Sequence, residues 1–93
     1  MRIFLVTYDL NTRGQNYEDL LNKIKSFPSK RLSESSYAVE ADKTAQQLYD
    51  YLKTSLDSND QIYIINITQP YAGFGPKDVN SWLDTKLPNT SLW

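Results

Sequence analysis

Cysteine and histidine are both absent from this chain of 93 residues, and glycine and proline are scarce at 3 and 4. Without cysteine there are no disulfides, no thiolate nucleophile and no cysteine-ligated zinc. Without histidine the usual neutral-pH acid–base group and the commonest metal ligand are gone. Any chemistry must rest on carboxylates, Lys, Tyr, Ser, Thr or an oxygen-liganded metal. A basic excess is missing too: the formal charge is −1 and the pI is near 5.2. Sequence-indifferent nucleic-acid binding draws on phosphate neutralisation, so this balance disfavours it. Lys23, Lys25, Lys30 and Arg31 are the best candidates for a local basic patch. Long apolar runs are lacking as well. The run after Arg2 stops at Asp9 with no small-residue cleavage site, so it reads as a strand and not a secretion signal. No stretch nears the roughly 18 apolar residues that cross a bilayer. A cytoplasmic protein with no membrane partner is expected.

What the chain does have is alternation and helical periodicity in orderly succession. Residues 2–8 form an apolar strand that ends at the turn-prone Asp-Leu-Asn-Thr-Arg-Gly. Tyr17, Leu20, Leu21, Ile24 and Phe27 recur at spacings of three and four, lining one helix face, with Asn16 as cap and Pro28 closing it. Residues 30–34 and 36–41 read as a hairpin turning near Ser35, with one long bent strand as the alternative; Tyr37, Val39 and Ala41 share one side and Ala38 and Glu40 the other. Thr44 with Gln47 resembles a capping box, and Ala45, Leu48, Leu52 and Leu56 form the stripe of a second helix. The turn 57–60 leads into a second apolar strand, 61–68. Pro76 opens a short helix in which Val79, Trp82 and Leu83 face inward.

The order β-α-β-β-α-β plus a terminal helix predicts an α+β, ferredoxin-like sandwich with a four-stranded antiparallel sheet. One domain spans 1–87, with a tail at 88–93 in which Leu92 and Trp93 can dock. The long first and last strands are expected as central neighbours. The sheet face away from the helices is expected to carry no helix, which leaves a second copy of the chain as its cheapest cover. Tyrosines, 7 of the chain's aromatics, suit such a half-exposed surface.

Several local motifs resemble one family. An apolar first strand ending Tyr8-Asp9, a Tyr17-x-x-Leu20 helix, the Ser36-Tyr37 strand start and the Leu56-Asp57-x-x-Asp60 junction are similar to those of the small CRISPR-associated adaptation proteins. They sit closest to the SinR-like branch of that superfamily. The resemblance covers roughly residues 1–68. It implies a ferredoxin-like homodimer of facing sheets. In nuclease-active members the aspartate closing the first strand comes from both subunits and binds a divalent metal at the dimer axis, and Asp9 is the matching residue. This chain departs from those members in its shortage of arginine and in ending on a helix where they use a strand.

Asp9 therefore has two readings. Paired with its symmetry mate it holds Mg²⁺ or Mn²⁺, orients a water and offsets charge on a phosphate. Alone, it ends the strand by accepting from backbone amides of the 11–14 loop. Tyr8, Asn11, Arg13 and Ser36 are candidate substrate contacts, each with a structural alternative as core aromatic, turn former or exposed polar group. A serine nucleophile at Ser35 or Ser36 lacks a base. Asp57 and Asp60 read as cap and turn residues at the sheet end opposite Asp9. Two functions lead, ahead of a sequence-indifferent nucleic-acid clamp that the charge disfavours. One is a homodimeric accessory or regulatory protein that binds another protein without catalysis and without a cofactor. The other is a Mg- or Mn-dependent endonuclease, acting on RNA or DNA through paired Asp9.

Overall fold

The computed structural model describes residues 1–11 and 15–89, with backbone only at Gln15 and Asn16. Four strands and three helices follow one another: β1 (Arg2–Asp9), α1 (Gln15–Lys25), β2 (Ser29–Ser33), β3 (Ser36–Ala41), α2 (Ala45–Leu52, extended by a 3-10 turn over Lys53–Ser55), β4 (Gln61–Ile67) and α3 (Lys77–Lys86). The strands form one sheet in the order β2-β3-β1-β4. β1 runs antiparallel to both neighbours, with Leu5 opposite Ala38 on one side and Ile65 on the other. This is the ferredoxin-like α+β architecture that the periodicities predict.

Alternation along β1 sorts its side chains between two cores. Phe4, Val6 and Tyr8 point to the helical face, where they meet Leu20 and Ile24 of α1, Tyr37 and Val39 of β3, and Leu48 and Leu52 of α2. Each such aliphatic or aromatic side chain contributes about 1.5–3 kcal/mol on burial. The Thr44–Gln47 capping box is formed, with the Gln47 amide donating to Thr44 Oγ1 at 3.1 Å and the Thr44 amide to Gln47 Oε1 at 2.9 Å. α1 starts at Gln15, so Asn16 lies inside its first turn and not at the cap.

Two expectations are corrected here. β4 neighbours β1 but lies at the sheet edge, since the hairpin with β2 gives β3 the other side of β1. The face away from α1 and α2 is not bare either. α3 packs across it, and Leu83 and Leu87 join Ile3 and Ala38 in a second core flanked by Leu32, Ile67, Val79 and Trp82. Two ion pairs fasten α3 to the β2–β3 half: Lys30 with Asp78 at 2.7 Å and Lys86 with Glu40 at 3.0 Å. The hydroxyl of Tyr71, in the loop before α3, donates to Asp84 at 2.7 Å. The β1–β4 half keeps Tyr63 at 63% and Ile65 at 49% exposed. Among the described residues no helix is long and apolar enough to cross a membrane.

Candidate functional site

The close of β1 is where the sequence places its candidate carboxylate, and alternation decides which way it faces. Asp9 follows Ile3, Leu5 and Thr7 on the face opposite the helices and lies across from Gln61 on β4. It is exposed, and among the described residues its carboxylate makes no hydrogen bond or ion pair. It borders a shallow, open concavity of about 340 Å³ lined by Thr7, Tyr8, Asp9, Ser35, Gln61 and Tyr63.

The 57–60 junction lies at this same end of the sheet, not at the far one. β1 and β4 are antiparallel, so the start of one must sit beside the close of the other; Asp9 opposite Gln61 shows it. Asp60 ties the two loops together. Its Oδ1 accepts from the Asn11 amide at 2.8 Å, and its Oδ2 accepts from the Asp57 amide at 2.9 Å. The structural role weighed for Asp9, binding backbone amides after the strand, is thus filled at Asn11 by Asp60. The rest of that loop, with Arg13, lies outside the described residues.

The other candidates separate. Tyr8 points into the helical core at 5% exposure, its ring edge-on to Tyr17 with centroids 6.4 Å apart and its hydroxyl donating to the Glu34 carbonyl at 3.3 Å. Burial, reinforced by the neighbouring Tyr17 and Tyr37, holds its phenol well above the ordinary tyrosine range against the opposing pull of Arg31. A phenol so placed stays protonated and serves packing. Asn11 is exposed and engaged through its backbone amide. Ser36 shares the Asp9 face, opposite Thr7, with its Oγ 2.6 Å from Ser33 Oγ.

The supposed basic patch does not assemble. Lys23 pairs with Asp19 at 3.4 Å and bonds Thr54 beside α1, and Lys30 turns to Asp78 of α3. Arg31, next in the chain, faces the other side and donates to the carbonyls of Ser33 and Glu34. Among the described residues no group of three or more acidic side chains gathers in a way that could hold a metal. Sequence reasoning missed Phe74, which stands fully exposed between Gly73 and Gly75. Its flanking glycines were a legible signal for a projecting loop.

No family model and no curated protein matches this chain. Among solved structures, a hypothetical protein, TT1823 from Thermus thermophilus, is similar at 23% sequence identity and a TM-score of 0.63. The match covers 81% of this chain and 94% of that one. Likeness at this identity establishes a shared fold.

Proposed function

We propose that this chain is a small homodimeric accessory or regulatory protein on a scaffold like that of the CRISPR-associated adaptation proteins, closest to their SinR-like branch, and that it acts by binding another protein without catalysis. One observation carries the reading. Phe74 stands fully in solvent between Gly73 and Gly75. A fully exposed aromatic side chain on a loop suits insertion into a partner's pocket, and Phe74 is such a side chain.

A second reading, a Mg- or Mn-dependent endonuclease, draws on the exposed Asp9 carboxylate beside its polar concavity. It needs two copies of Asp9 within about 4 Å of each other, because metal–oxygen bonds of ~2.1 Å must reach one ion from both sides. Purified wild type and Asp9→Asn separate the two. The binding reading expects no RNA or DNA cleavage by either protein across a range of Mg²⁺, Mn²⁺ and pH. Metal-dependent cleavage by wild type that Asp9→Asn abolishes, with the dimer intact, would overturn it.

A further inference from the structure

The two edge strands of the sheet differ in chemistry. β2 carries Lys30 and Arg31, and its pairing shifts register between Arg31 and Ser33. Charges and irregularities of this sort keep an edge from recruiting another strand. β4, reading QIYIINI, has no charge, no proline and no irregularity over seven residues. No described segment pairs with its outer side. Two open concavities, of about 600 and 220 Å³, run between that edge and α2, bordered by Tyr49, Lys53, Leu56, Ile62, Tyr63 and Ile64.

We infer that β4 pairs antiparallel with β4 of a second copy, joining two sheets into one of eight strands. This rests on the homodimer reading above, but joins the sheets at their edges in place of the facing sheets that the resemblance implies, since α3 packs on the second face. Two-fold closure pairs only residues that share a sheet face. The one register that engages all seven residues is centred on Ile64. It sets Tyr63 opposite Ile65 of the partner subunit, twice over, which is a favourable aromatic–β-branched pair. Ile64 meets its own copy on the helical side.

The area is sufficient. Tyr63, Ile65 and Tyr49 are 63%, 49% and 37% exposed. Covering them and a seven-residue backbone edge removes about 500–600 Å² per copy, roughly the 1,000 Å² in total that a specific interface needs. The geometry also bears on Asp9. Three strand spacings of about 4.8 Å and six residues of about 3.3 Å place the two Asp9 positions ~25 Å apart, too far to share a metal.

The test is sedimentation of wild type, Y63K/I65K and Y63K/I65E at micromolar concentration, with circular dichroism as the check on folding. Pairing predicts a dimer for wild type and a twofold fall in mass for Y63K/I65K, whose lysines face one another. It predicts a return to dimer for Y63K/I65E, where each new lysine faces the partner's new glutamate. A dimeric Y63K/I65K overturns edge pairing and leaves the homodimer reading standing. A monomeric wild type overturns both. Should Y63K/I65K fail to fold, nitroxides on Asp9→Cys decide, in a chain with no other cysteine. A separation of about 25 Å or more supports the pairing, and one below about 15 Å overturns it.

Discussion

Replacing Asp60 and Asp9 in parallel separates the structural acid from the available one. Asp60 is half-buried and accepts the amides of Asn11 and Asp57, at 2.8 and 2.9 Å. Asp60→Ala leaves both donors to water and unties the close of β1 from the start of β4. A hydrogen bond to a charged group contributes about 1.5–3 kcal/mol when buried; partial exposure brings this to about 1 kcal/mol each, or ~2 kcal/mol together. In a domain of this size that lowers the melting temperature by about 8–15 °C. Asp60→Asn keeps one acceptor oxygen and should lose about half as much. Asp9→Ala, exposed and without a bonding partner among the described residues, should change stability by less than about 0.5 kcal/mol. Thermal and urea unfolding followed by far-UV circular dichroism measure all three, with the urea slope checking that cooperativity is kept. An Asp9→Ala loss equal to that of Asp60→Ala, or a silent Asp60→Ala, would refute the assignment. A stable Asp9 variant also makes the cleavage assay interpretable, because lost activity could not then be blamed on lost fold.

Two further outcomes follow from the packing around this frame. Leu83→Ala should cost about 2–3 kcal/mol in urea unfolding, since Leu83 joins Ile3 and Ala38 beneath α3; an unchanged midpoint would mean that α3 adds nothing to the domain. The hydroxyl of Ser55 donates to Asp19, and this bond, with Lys23 nearby, holds the Asp19 carboxyl below its ordinary range. A depressed carboxylate stabilises the fold above its unfolded value of about 3.9 and loses that effect as pH falls through the lower, folded value. Asp19→Asn should therefore flatten the fall in stability below about pH 4, and a melting profile parallel to wild type there would sink the linkage.

Much of the fold is legible in local pattern. The stripe Tyr17, Leu20, Leu21, Ile24 and Phe27 reaches the helical core as its spacing predicts, and Thr44 with Gln47 forms the capping box. Tyr37 and Ala38 fall into different cores, as period two requires. The candidate site was less legible. Asp9 closes β1 as its place in the sequence predicts, but Asp60 lies at that same end of the sheet and not at the opposite one, because a turn motif carries no information about which strand its neighbour pairs with. Tyr8, adjacent in sequence to Asp9, proved to point the other way.

By itself the sequence determined the element order, the face on which each side chain lies and the chemistry excluded by lacking cysteine and histidine. These are short-range properties, set by residue type and by periods of 2 and 3.6. Only the tertiary structure decided that β4 is an edge, that α3 covers half of the second face and that the 57–60 turn is bonded to the close of β1. Each of these depends on lateral neighbours chosen by the crossovers and by which apolar surfaces meet. Periodicity says that a strand has an apolar face; it does not say what lies against its edge.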